Sequence, residues 1–241
     1  MPVYRIPREH FFPPVSEAEY NGLLGLGGDL HPDRLLLAYN SGIFPWYSQG
    51  QPILWFSPDP RFVLIPQEFR ISRSLKKYLK RHPFRFTIDR AFNQVIHACA
   101  DIPRPHQSGT WITEEMVDAY IQLHERGVAH SFEAWLGDEL VGGFYGVSIG
   151  RIFAGESMFA RHPNASKVAF CWGFERLVSW GVVLLDSQVY TEHIERFGAR
   201  EIPRDEYMRM LKQYSVQNLS ADAWTTADEA EFESSSEEAE I

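Results

Sequence analysis

The sequence predicts a mixed α/β fold, in which a large unit of mixed sheet and helices follows a small N-terminal unit. Three observations predict it. Beyond residue 66, segments with apolar residues at helical spacing interleave with short strand-like segments. Two of these, 140–149 and 151–157, meet at Gly150 as the arms of a hairpin do. Residues 1–65 differ in kind, being rich in Pro, Gly and aromatics with one clear short helix. Hydrophobic residues make up 44% of the 241 and aromatics 14%, ample for a packed core.

In chain order, Pro32 suits the first turn of a helix, Leu35, Leu36 and Tyr39 recur at helical spacing, and Gly42 stops it. The loop Phe44-Pro45-Trp46-Tyr47 leads into an extended stretch over 53–56. Ser57-Pro58-Asp59-Pro60 breaks the pattern, and the small unit, residues 1–65, is bounded near there. The larger unit, 66–225, is expected to hold helices over 72–81, 90–100, 114–126, 166–180, 189–197 and 205–214. Its expected strands are 84–88, 130–136, 140–149, 151–157 and 182–186. Thr113, followed by Glu114 and Glu115, makes a good helix start because a hydroxyl and acids satisfy the free amides there. Gly127 and Gly181 follow helical patterns and can close them in a left-handed turn.

The net charge of −9 conceals a division. Residues 227–241 carry seven acids and no base, and without them 23 bases face 25 acids. This tail, 226–241, is too poor in large apolar groups to order itself and is expected to be disordered. Residues 70–90, by contrast, hold eight bases and one acid, and Arg73, Lys76, Lys77 and Lys80 share one helix face. Such a face is either simply solvated or in contact with a polyanion, and its isolation in an otherwise acidic chain favours the second. No run of about 18 apolar residues offers a membrane span, and the N-terminus has no apolar signal core. A cytoplasmic chain with no membrane partner is expected. Cys99 and Cys171, with no His pattern beside either, read as buried free thiols.

The glycine-rich run Asn21-Gly22-Leu23-Leu24-Gly25-Leu26-Gly27-Gly28-Asp29 is neither a dinucleotide loop nor a phosphate-binding P-loop, and reads as a turn packed on the larger unit. Together with Gly42-Ile43-Phe44-Pro45-Trp46, Trp55-x-Ser57-Pro58-x-Pro60-Arg61 and Gly155-Glu156-Ser157-Met158-Phe159, it makes the chain resemble the leucyl/phenylalanyl-tRNA–protein transferases. The resemblance runs from about residue 15 to about 212. The element order is similar to that of the acetyl-CoA-dependent N-acetyltransferases, which implies a GNAT-like larger unit. Their phosphate-cradling signature is missing, since Arg161-His162-Pro163-Asn164-Ala165-Ser166-Lys167 has no glycine loop.

The resemblance implies transfer of Leu or Phe, and less so Met, from aminoacyl-tRNA to the α-amino group of proteins beginning with Arg or Lys, tagging them for degradation by the N-end rule. It implies no cofactor and no metal. Trp46 and Trp111 then line the aminoacyl-adenosine site, with Tyr120 a weaker candidate. An aromatic face under a base contributes about 1–3 kcal/mol. Arg73, Lys76, Lys77, Lys80, Arg81 and Arg85 would meet the acceptor stem, whose A-form backbone is read through charge and shape.

Phe144, Phe153, Met158 and Leu185 read either as sheet core or as the lining of a pocket in which Gly155 leaves room for a ligand, and the acid beside them argues for the pocket. Glu156, an acid among apolar neighbours, needs a partner. Asp186-Ser187-Gln188 ends a strand, where the Asp either caps a loop or serves chemistry. The resemblance favours chemistry, with Asp186, coupled through Gln188, accepting the proton of an α-amine whose free pKa is about 8. Departures from the family pattern are Ala160 for Ser, Thr191 for Asn, and Gly173 for an aromatic, the last expected to enlarge the pocket. Two rivals remain: a coenzyme-A-dependent N-acetyltransferase on the same fold, and a non-enzymatic adaptor for tRNA or basic N-termini.

Overall fold

The computed structural model describes residues 3–102 and 111–224, so the acidic stretch 226–241 lies outside the described residues. A four-stranded sheet is built by β1 (Tyr4–Ile6), β2 (Leu23–Gly27), β3 (Phe44–Pro45) and β4 (Leu54–Phe56), in the order β1-β2-β4-β3. The glycine run read as a turn is therefore partly a strand. Its composition has a packing cause: a Cβ on Gly25 would stand 2.6 Å from the Ile6 side chain, so glycine is what lets β1 lie alongside β2. Between β2 and β3 runs α1 (Pro32–Asn40), whose first turn is capped by the His31 ring accepting from the Asp33 amide.

The second sheet has seven strands in the order β11-β5-β10-β9-β8-β7-β6. These are β5 (Arg61–Leu64), β6 (Arg85–Ile88), β7 (Ala129–Leu136), β8 (Glu139–Ile149), β9 (Ile152–Ala160), β10 (Leu184–Asp186) and β11 (Arg200–Ile202). All ladders are antiparallel except β9–β10, which is parallel and joined by the crossover helix α5 (Ala165–Ser179). This is the mixed α/β architecture expected from the sequence.

The remaining helices are α2 (Arg73–Leu79), α3 (Phe92–Asp101), α4 (Glu114–Glu125), α6 (Glu192–Glu195) and α7 (Arg204–Tyr214). Thr113 caps α4 by accepting from the Met116 amide, as its position suggested. The helix expected over 189–197 is a single turn, starting where Thr191 caps it by accepting from the Ile194 amide and stopped before Gly198, whose φ is 104°. Strand β5, expected to belong to the small unit, pairs instead with β10 and β11, so the chain changes sheets within residues 57–60.

Both faces of the large sheet are covered. On one, α1, α3 and α4 and the small sheet enclose Leu35, Tyr39, Trp55, Val95, Tyr120 and Tyr145. On the other, α2 and α5 enclose Leu79, Phe86, Phe132, Phe153, Trp172 and Leu177. Cys99 and Cys171 are buried, one in each core, and are not joined in a disulfide.

Candidate active site at the opening of the sheet

The parallel strands β9 and β10 pair only from Ile152 to Ala154 and from Leu184 to Asp186. Beyond that point β10 ends while β9 continues to Ala160, so the sheet opens. A cavity of about 620 Å³ fills the opening. Because it passes between strands, it is lined from both faces, by Phe144 and Leu185 of one core and Tyr145 of the other.

The β8–β9 ladder is irregular at this level. Tyr145 pairs with Ser157 and Gly146 with Gly155, which leaves Glu156 as the extra residue of a bulge. A bulge breaks the strict alternation of faces and re-aims one side chain. Gly146 is required for it, since a Cβ there would lie 2.3 Å from the Ala154 carbonyl oxygen. Glu156 thereby reaches three polar partners from three different elements. Tyr39 of α1 donates to Oε1 at 2.7 Å, Tyr120 of α4 to Oε2 at 3.3 Å, and the Gln188 amide to Oε1 at 3.4 Å. The two phenol oxygens also lie within hydrogen-bond distance of each other; each carries one proton, so the phenol that donates to its neighbour cannot at the same moment donate to Glu156. Burial pushes the Glu156 carboxyl up to about 7; the Tyr39 hydrogen bond lowers it and the Asp186 charge adds to the rise. Burial, with the Glu156 charge beside them, holds both phenols far above their ordinary range, so they stay neutral.

Asp186 has a different environment. It is 0% exposed and does not line the cavity. Arg61, itself 1% exposed, grips it with Nε at 2.8 Å and Nη2 at 2.7 Å, and Tyr207 of α7 donates to Oδ2 at 2.9 Å. Arg61 also donates to the Gly42 carbonyl at 3.1 Å and lies over the rings of Phe44 and Tyr207. Burial opposes the guanidinium charge, but Asp186 more than offsets this and holds its pKa above the ordinary value. Oδ1 of Asp186 accepts the backbone amide of Gln188 at 3.0 Å, fixing a residue with φ of 59° whose side chain lines the cavity. The expected proton acceptor thus has both oxygens engaged within the fold. What it does from there is hold Gln188.

Among the other expected site residues, Trp46, Trp111, Phe144, Gly155, Met158 and Leu185 all line the cavity. Phe153 does not: its ring packs against Phe132, Phe144 and Trp224 in the core behind. Tyr120 is also outside the lining and bears on the site only through its hydroxyl. Gly155 behaves as expected, since a Cβ there would meet nothing closer than Leu185 Cδ2 at 3.6 Å. Gly173 does not enlarge the pocket. A Cβ there would stand 2.7 Å from both Phe132 and Phe144, so the space it leaves is filled by those stacked rings.

Comparison with known proteins bears directly on this arrangement. A family model described as "Leucyl/phenylalanyl-tRNA protein transferase" matches residues 63–212, and its N-terminal domain counterpart matches 28–59. Proteins carrying the name leucyl/phenylalanyl-tRNA–protein transferase match nearly end to end. That of Anaeromyxobacter sp. (strain K) is 57% identical over 93% of this chain and 96% of its own length. That of Myxococcus xanthus (strain DK1622) is 52% identical over 93% and 97%. The chain belongs to the leucyl/phenylalanyl-tRNA–protein transferase family. As a member of it, the chain is an aminoacyltransferase whose donor is an aminoacyl-tRNA and whose acceptor is a protein. A solved structure described as L-PGS from Bacillus licheniformis aligns with 68% of the chain and 55% of its own length, at 13% identity and a TM-score of 0.38, too distant to bear on function.

For a leucyl/phenylalanyl-tRNA–protein transferase family member the surroundings of the cavity matter as much as its walls. Arg73, Lys76, Lys77, Lys80 and Arg81 are exposed on or just after α2, while Leu75 and Leu79 anchor its opposite side. Tyr78 donates to the Pro163 carbonyl at 3.3 Å, which seats α2 beside the start of α5, where Ser166 lines the cavity. Arg85 stands apart from this face, half-buried over the Trp135 ring. Sequence reasoning missed Tyr39 and Tyr207 as polar anchors, and His193 in the cavity wall, whose imidazole is held below its ordinary range by burial and by Lys167 and Arg196. Among the described residues no helix is long and apolar enough to cross a membrane.

Proposed function

We propose that the chain transfers Leu, Phe and, less readily, Met from tRNA to proteins with N-terminal Arg or Lys in the cytoplasm, tagging them for degradation. The observation that carries this reading is a largely apolar cavity of about 620 Å³ with one carboxyl, Glu156, and one amide, Gln188, hydrogen-bonded to each other at its wall. Phe144, Met158, Leu185 and Phe170 supply the apolar contact for the amino acid side chain, and Trp46 and Trp111 the aromatic faces for the terminal adenosine. An apolar wall separates side chains by only about 1–3 kcal/mol per methylene, which suits a donor range rather than a single amino acid.

In this reading the neutral α-amine attacks the ester carbonyl carbon, its proton passes to Glu156 as the C–N bond forms, and Glu156 returns that proton to the ribose oxygen as the C–O bond breaks. A base with a pKa near the working pH is effective in that role. Tyr39 and Tyr120 hold the carboxylate, and Gln188, locked by Asp186, orients the amine. Asp186 and Arg61 are positioning residues. The exchange of an ester for an amide is downhill and needs no nucleotide. The cationic face of α2 meets the phosphates of the acceptor stem.

The test is transfer of labelled Leu, Phe, Met, Ile and Val from charged tRNA to peptides beginning with Arg, Lys or Ala. Transfer of the first three to Arg and Lys peptides is expected. Equal transfer to the Ala peptide would refute the acceptor assignment, and binding of acetyl-CoA with acetyl transfer would revive the coenzyme-A rival.

A further inference from the structure

The cations of α2 have no partner within the described fold. None of Arg73, Lys76, Lys77, Lys80 and Arg81 forms a salt bridge with a described residue, and α2 has no acid in its first turn. Five exposed cations on and just after one seven-residue helix repel one another and attract any polyanion nearby. The rest of the chain is acidic, but outside residues 226–241 its 25 acids are interspersed with the remaining 18 bases. Its one strong anionic segment is residues 226–241, with seven acids between Asp228 and Glu240 and no base.

The place where the described chain ends sets the geometry. Trp224 stacks on the His130 ring at 3.6 Å and packs in the same core as α2 and α5. The acidic stretch therefore leaves from the sheet face that carries α2. A run of ring contacts leads from one to the other: Trp224 to Phe132 at 6.0 Å, Phe132 to Trp172 at 6.1 Å, Trp172 to Phe86 at 5.1 Å and Phe86 to His82 at 5.1 Å. His82 adjoins Arg81 and Lys80. The contour length of sixteen residues is about 50 Å, enough to bring the acids to α2, and tethering sets a local concentration on the order of millimolar.

We propose that the acidic stretch 226–241 docks on the cationic face of α2 and there competes with the phosphates of tRNA. The competition rests on the reading of α2 as a tRNA contact; the docking itself does not. An exchange of one polyanion for another releases few counterions, whereas binding to a bare cationic face releases about 0.9 per phosphate neutralised on a duplex. The tail therefore lowers both the affinity for tRNA and its dependence on salt.

The experiment uses the full chain with all seven acids made neutral at unchanged length: Asp228→Asn, and Glu229, Glu231, Glu233, Glu237, Glu238 and Glu240 each to Gln. Uncharged tRNA is titrated by fluorescence anisotropy between about 50 and 500 mM KCl. The neutralised chain is expected to bind about 3–10-fold tighter at the low end, with a steeper salt slope and no difference at the high end. A second arm adds a labelled peptide of residues 225–241 to the neutralised chain, with and without Lys76→Gln, Lys77→Gln and Lys80→Gln. Peptide binding that is lost in the triple substitution supports the docking. If the triple substitution weakens tRNA binding but the neutralised tail changes neither affinity nor slope, the inference is overturned and the tRNA reading stands. If the triple substitution leaves tRNA binding intact, the competition falls with that reading. The docking then stands or falls on the peptide arm, where absence of binding overturns it.

Discussion

Replacing Glu156 by Gln should move stability and activity in opposite directions. Gln keeps the shape and an oxygen for the Tyr39 hydroxyl, but removes a charge from a buried site. The carboxyl sits at about 7 in the fold against a reference of 4.5. A carboxyl raised by folding binds its proton more tightly in the native state than in the unfolded one. Native stability therefore falls as pH climbs from about 4.5 to about 7 and is fully reduced above that. The displacement corresponds to roughly 3 kcal/mol at most, with solvent in the cavity reducing it. Glu156→Gln should accordingly match the native chain in urea melts at pH 4.5 and exceed it by about 1–3 kcal/mol at pH 8. Transfer of Phe from tRNA to an Arg peptide should fall by about 10²–10⁴ in single-turnover rate. The native rate should rise through about pH 7, and that rise should vanish in the variant. A variant that is unstabilised at pH 8, or one that keeps near-native turnover, would refute the assignment of the proton to Glu156.

Three further outcomes follow from packing and charge. Arg61→Met leaves Asp186 buried without its partner and should cost about 3–5 kcal/mol in urea melts, most of it recovered when Asp186→Asn is added. Gly155→Ala should leave stability within about 1 kcal/mol while raising the KM for aminoacyl-tRNA, because its methyl enters the cavity, whereas Gly146→Ala should unfold the bulge and the site together. Gly173→Ala should cost about 1–3 kcal/mol by melting and leave the Leu-to-Phe ratio unchanged, since the methyl meets Phe132 and Phe144 rather than ligand.

The features legible in the sequence were those with local causes. Thr113 and the two Glu after it announced α4 within a residue, and Gly150 marked the β8–β9 turn. Strands β5 and β11 were invisible because four and three residues carry no periodicity of their own; only their pairing with each other and with β10 makes them strands. Phe144 and Met158 lie in the long, patterned strands β8 and β9, whereas Trp46 follows the two-residue β3 and Leu185 lies in the three-residue β10. Phe153 shares the core of Phe144 and Leu185 but sits where β9 still pairs with β10, opposite Leu185, and so lies behind the opening rather than at it. Asp186 looked like a base because nothing local shows that Arg61, 125 residues earlier, takes both its oxygens. Tyr39 fitted a helix face, and that pattern was complete without its hydroxyl.

Arg61 opens the strand that the small unit lends to the large sheet. The two family matches stop at residue 59 and resume at 63, and Arg61 falls in the gap between them. A chain started at 63 would lose the guanidinium from the centre of its own site, along with the first rung of the β5–β11 ladder, Arg61 opposite Ile202. Tyr39, whose phenol holds Glu156, also comes from the small unit, on α1. The two halves are therefore not modules that recombination could trade separately, and heating should melt them in a single calorimetric transition, with loss of transfer activity coinciding with loss of fold.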